Sequence, residues 1–77
     1  MNISEFKLFL VQREFIPKEI LELLAKDDYH WIRASVAKNS NISKEILEIL
    51  AKDKDYWIRK AVEKNPNVSK EILSIFI

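Results

Sequence analysis

Two tryptophans and two arginines stand at matched places in this chain, in Trp31-Ile32-Arg33 and Trp57-Ile58-Arg59. An indole pair on one face of a protein is an effective anchor for a partner, because Trp and Arg carry much of the energy of protein interfaces. A guanidinium offers a planar fork of donors that fits a carboxylate or a phosphate. Each pair also has a structural reading. Repeated indoles commonly pack against the next unit of a repeat, which is the favoured expectation for Trp31 and Trp57. Asp27 and Asp53 stand six residues before Arg33 and Arg59, so both partners of an ion pair recur together. A ladder of Arg and Asp within one unit or between adjacent units is therefore favoured over a ligand site.

Catalytic chemistry has little to work with. His30 is the one histidine, there is no cysteine, and the residue matched to His30 is Tyr56. The pattern thus requires no imidazole and gives no metal-ligand spacing. Ser4, Ser35, Ser40, Ser43, Ser69 and Ser74 fall at expected caps, turns or helix faces, with a single candidate base in the chain. Glycine is absent, which excludes Gly-rich phosphate loops. The sequence is read as non-enzymatic, with no catalytic residue, cofactor or metal.

Charge is nearly balanced. Thirteen basic against twelve acidic residues leave a formal charge of +1, too small for a field that would draw in nucleic acid or an anionic membrane. Three lysine series do recur, Lys18/Lys44/Lys70, Lys38/Lys64 and Lys26/Lys52, and with Arg33 and Arg59 they define an alternative function as a nucleic-acid-binding stripe. Glu19, Glu45 and Glu71 lie directly beside the first series, so a mixed, solvated face is favoured.

These recurrences belong to one period. Ile16-Pro17-Lys18-Glu19-Ile20-Leu21-Glu22 returns as Ile42-Ser43-Lys44-Glu45-Ile46-Leu47-Glu48 and again as Val68-Ser69-Lys70-Glu71-Ile72-Leu73-Ser74, a spacing of 26 residues each time. Between residues 16–41 and 42–67, 17 of 26 positions are identical, so the chain is a tandem repeat and its fold is a stack of like units.

Each unit reads as two helices. Helix A begins near Pro17, Ser43 or Ser69, since Pro suits a first helical turn and Ser a cap, and Glu19, Glu45 and Glu71 complement the helix dipole. Its stripe is Ile20, Leu21, Leu23 and Leu24, matched by Ile46, Leu47, Ile49 and Leu50. It ends around Lys26 or Lys52. Helix B starts near Trp31 or Trp57 behind an aspartate cap and turns Ile32, Ser35 and Val36, or Ile58, Ala61 and Val62, inward. Asn39 and Asn65 suit its C-terminal cap because Asn tolerates the left-handed conformation, and Pro66 blocks continuation. Carried back by one period, the register sets Phe6, Phe9 and Leu10 on the inward positions, so Ser4 to Glu14 is expected to be a degenerate helix B with Ser4 as its cap. The expected organisation is a single domain, 1–77, of three units: a degenerate unit 1–26 and repeats 27–52 and 53–77.

The pattern Trp-Ile-Arg-x-x-Val-x-Lys-Asn-x-Asn, followed by a short apolar helix ending Leu-Ala-Lys-Asp, resembles the leucine-rich repeat variant family. The resemblance covers residues 16–77 well and residues 1–15 poorly. It implies an all-α, right-handed α-solenoid of three short two-helix units, about six helices, akin to HEAT and armadillo repeats. It implies fold more than function, and no catalytic residue. Arg13 stands where Asn39 and Asn65 stand, with Glu14 and Phe15 replacing loop residues, so the first turn should depart from the family geometry.

At the carboxyl end, Ile75, Phe76 and Ile77 would lack a following helix B and form an apolar patch suited to self-association, with a homodimer as the commonest closed form. The expected function is a protein-binding or assembly module, its partner another protein or a second copy; a structural segment of a larger protein is a further alternative. No run approaches the roughly 20 apolar residues of a membrane span. The chain is read as cytoplasmic, and its lack of cysteine fits a reducing compartment.

Overall fold

Serine caps start two of the helices as the repeat requires. The Ser43 hydroxyl accepts from the Ile46 N–H at 3.3 Å and that of Ser69 from the Ile72 N–H at 3.2 Å, each satisfying a donor with no partner inside the helix. Pro17, at the matched place, offers no side-chain acceptor. The computed structural model describes residues 2–11, Val11 by its backbone alone, and 16–76. The expectations for Arg13, Glu14, Phe15 and Ile77 lie outside the described residues.

In chain order the helices are α1 (Ile3–Val11), α2 (Lys18–Leu24), α3 (His30–Ala37), α4 (Lys44–Ala51), α5 (Tyr56–Glu63) and α6 (Lys70–Leu73), the last running into a 3₁₀ turn, Ser74–Phe76. Among the described residues there is no strand, and the protein is all-helical. Helix α1 packs on α3 and α3 on α5, while α4 lies against α3, α5 and α6, and α2 against α1 and α3. The molecule measures 40 × 23 × 17 Å. No described helix is long and apolar enough to cross a membrane.

The core runs along the join between the two sets of helices. Ile32 and Val36 of α3, Ile46, Leu47 and Leu50 of α4, Ile58 and Val62 of α5 and Ile72 of α6 are fully buried. Each such side chain contributes about 1.5–3 kcal/mol by leaving water. None of these helices exceeds nine residues, well below the length at which an isolated helix holds together, so mutual packing supplies their stability.

Several expectations need correction. Leu23 is 70% exposed and Ile49 44%, whereas Ala25 and Ala51 are buried in their stead. At about 100° per residue, Ile46, Leu47, Leu50 and Ala51 already fill a broad arc, and Ile49 falls outside its edge. Ile20 is also exposed, unlike its counterparts Ile46 and Ile72. In α1 the cap is Asn2, not Ser4. The Glu5 N–H donates to Asn2 Oδ1 at 2.8 Å and the Asn2 N–H to Glu5 Oε2 at 3.3 Å, a reciprocal capping box. Phe6 and Phe9 remain about half exposed and Leu8 packs on the core instead, because α1 rests mainly on α3 and α2 while α3 is flanked by both α1 and α5. Among the described residues none has positive φ, so Asn39 and Asn65 do not close helices through a left-handed turn.

Candidate partner-binding groove

Helix B directs its two tryptophans outward. Ile32 and Val36 set the buried face of α3, as Ile58 and Val62 set that of α5, and the residue just before the isoleucine is turned about 100° away. Trp31 is 54% and Trp57 73% exposed. Neither indole is a buried contact between units, as the packing expectation would have it: Trp57 stands largely in solvent and Trp31 about half so.

Between α3 and α5 lies an open groove of about 520 Å³. Trp31, Ala34 and Lys38 line it from α3, and Trp57, Lys60, Ala61 and Lys64 from α5. The alanines keep its floor low. His30 and Asp55 border the end at which the helices begin. His30 is exposed, its ring 5.4 Å from that of Tyr29 and 5.0 Å from that of Trp31, while Tyr56 stands edge-on to Trp57 at 5.2 Å. Asp55 caps α5, accepting the Trp57 N–H at 2.8 Å.

The opposite end of the groove is basic. Lys38 and Lys64 occupy the C-cap positions of α3 and α5, where the negative end of the helix dipole favours a cation. Among the described residues no carboxylate pairs with either. Lys60 differs, because its ammonium donates to Glu63 Oε2 at 3.2 Å; that bond, with the charges of Glu63 and Tyr56, raises its pKa above the ordinary lysine value.

The arginines lie elsewhere. Arg33 is 7% exposed, and its guanidinium donates from Nε to Asp53 Oδ2 at 2.8 Å and from Nη1 to the carbonyls of Asp27 at 2.7 Å and Asp28 at 3.1 Å. Arg33 thus ties α3 to the loops before it and after α4. One period earlier Lys7 donates to Asp27 Oδ2 in the same way. Burial opposes ionisation of Asp27, but the Lys7 ammonium, the Tyr29 N–H and Arg33 outweigh it and hold its carboxyl below the ordinary value. Arg59 is half-buried and donates to the Asp53 carbonyl at 2.7 Å, with its guanidinium 6.0 Å from the Tyr56 ring. Neither arginine lines the tryptophan groove, so the four candidate residues divide into an exposed aromatic pair and an arginine pair held in the loops.

Asparagines form a second set of cross-unit ties. Buried Asn65 donates through Nδ2 to the carbonyls of Ala37 at 2.7 Å and Asn39 at 3.0 Å, and Asn67 donates to those of Ser40 at 2.5 Å and Ile42 at 3.4 Å. Sequence reasoning missed this role. The recurrence of Asn-x-Asn at 39–41 and 65–67 was its available signal, as the alignment of Lys7 with Arg33 and Arg59 was for the first ion pair.

Elsewhere, Lys18, Lys44 and Lys70 are exposed on a face shared with acidic residues. The carboxyl of Glu45 is held below its ordinary value by its own backbone N–H and then by the charge of Lys18. For Glu71 the causes are its own N–H, the Ser69 hydroxyl and the charge of Lys44. At the carboxyl end Ile75 is exposed, whereas Phe76 is turned against the core. Among the described residues no group of His, Asp and Glu is arranged to hold a metal. No family model, curated protein or solved structure matches this chain.

Proposed function

We propose that this chain is a short right-handed α-solenoid, of the kind its resemblance to the leucine-rich repeat variants implies, and that it acts without catalysis by presenting the α3–α5 face to a protein partner. The successive contacts α1–α3–α5 and α4–α6 support the solenoid, as do side-chain ties that recur one period apart. One observation carries the functional reading: the buried polar residues are committed to joining neighbouring units, while two large indoles stand exposed over a common groove. Exposed aromatics at the rim of a concave surface, with polar groups in fixed places, are what interface anchors look like before binding. Affinity capture with the wild type beside Trp31→Ala and Trp57→Ala tests this. A captured protein lost in both variants, with helicity retained, supports the reading; capture unchanged by both overturns it.

The juxtaposition of indoles and lysines also suits a single-stranded nucleic acid, whose bases stack on aromatic rings. That reading ranks second, because glutamates offset the Lys18, Lys44 and Lys70 series and Arg33 is committed. Self-association through the carboxyl end ranks lower still, since Phe76 faces the core.

A further inference from the structure

We propose that the α3–α5 groove takes a short acidic segment of a partner protein, with an apolar side chain between Trp31 and Trp57 and a carboxylate at Lys38 and Lys64. This rests on the protein-binding reading and adds the chemistry of the occupant and the end of the groove that takes its carboxylate. The groove has two unlike ends. Lys38 lies seven positions after Trp31, and Lys64 seven after Trp57. At 1.5 Å per helical residue the aromatic and basic ends therefore lie about 10 Å apart. An extended chain covers that distance in about three residues. The matching pattern is an apolar residue followed, or preceded, by Asp or Glu three positions away.

Charge decides which class of segment fits. Lys38 and Lys64 lack a carboxylate partner among the described residues, so a bound carboxylate displaces no existing ion pair. The acidic group that lines the groove, Asp55, sits at the aromatic end, where its bond to the Trp57 N–H fixes it. It repels a carboxylate from that end and so sets the segment's orientation. Ala34 and Ala61 between the ends leave room for a backbone to lie close to the helices. A basic segment meets two uncompensated ammonium groups, and like charges brought together are unfavourable.

The test uses the whole chain and three synthetic probes: a blocked hexapeptide with Leu at its second position and Glu at its fifth and sixth among Gly and Ser, the same peptide with Lys for Glu, and an oligothymidylate. Binding is read by indole fluorescence and by amide chemical shifts along α3 and α5. The acidic peptide should shift both, with affinity falling at least tenfold in Lys38→Gln/Lys64→Gln and in Trp31→Ala, while circular dichroism stays unchanged. The charge-reversed Lys38→Glu/Lys64→Glu chain should prefer the Lys peptide. Equal binding of both peptides, or affinity unchanged in the lysine variants, overturns the acidic segment and leaves protein binding standing. Binding of oligothymidylate alone, lost in the same variants, overturns both readings. Absence of binding by all three probes at millimolar concentration overturns the acidic segment.

Discussion

Arg33 of α3 reaches Asp53, in the loop that follows α4, at 2.8 Å, with both side chains about nine-tenths buried. Lys7 and Asp27 stand in the same relation one period earlier. These contacts join consecutive units, so a carboxylate at the start of one unit completes the cation of the unit before it.

Removing Asp53 leaves the Arg33 charge buried without its counter-ion. Breaking one side of a buried pair costs about 3–5 kcal/mol. Asp53→Ala should therefore lose a large share of a small domain's stability in urea denaturation. Arg33→Met/Asp53→Leu, which removes both charges, should recover much of that loss.

Asn65 predicts a smaller effect of the same origin. Its buried amide holds the Ala37 and Asn39 carbonyls, and Asn65→Ala should cost about 1–3 kcal/mol by stripping them of a donor. Asn67→Ala should cost less because that residue is exposed and water replaces its bonds. Paired thermal melts would rank the two.

The repeat makes the Arg33–Asp53 tie legible in the sequence, since two residue types that recur together at fixed spacing share a task. It leaves the partner unit open, because Asp27 is nearer to Arg33 in the chain than Asp53 is. The outward turn of the tryptophans is implied by the inward isoleucine one residue on, whereas that of Leu23 and Ile49 was not legible. With its alanine, helix A has five apolar positions, Ile46, Leu47, Ile49, Leu50 and Ala51 in α4, which exceed the arc that one helix can bury, and sequence spacing cannot say which falls outside. The ties of Asn65 and Asn67 span 25 to 28 residues and show in the sequence only as the recurrence of Asn-x-Asn, whereas the Asn2–Glu5 capping box has the spacing of a local signal.

Burial therefore separates neighbours in helix A. Leu47→Ala should cost about 2–5 kcal/mol, as truncation at a closed core site does. Leu23→Gln should stay within about 0.5 kcal/mol of wild type, as a surface change does. Comparable losses at both positions would contradict the assigned face of α2 and α4.

Asp27 gives a pH dependence of definite sign. Its folded pKa lies below the ordinary value of 3.8, so the stability it contributes is fully present above that value and is lost as pH falls through the lower, folded one. Asp27→Asn should be less stable than wild type at neutral pH, and the gap should narrow as pH falls below about 4. Chemical denaturation across pH 2–7 reads the difference.

Trp31 and Trp57 lie outside the core and contribute little to the fold. Equilibrium denaturation of Trp31→Ala and Trp57→Ala, followed by far-ultraviolet circular dichroism, tests this most directly. The exposed indole of Trp57 predicts a loss below about 1 kcal/mol, and the half-covered one of Trp31 a loss below about 2 kcal/mol. A loss of about 3–5 kcal/mol, the range for truncating a packed tryptophan, would show that the rings belong to the core and contradict the account.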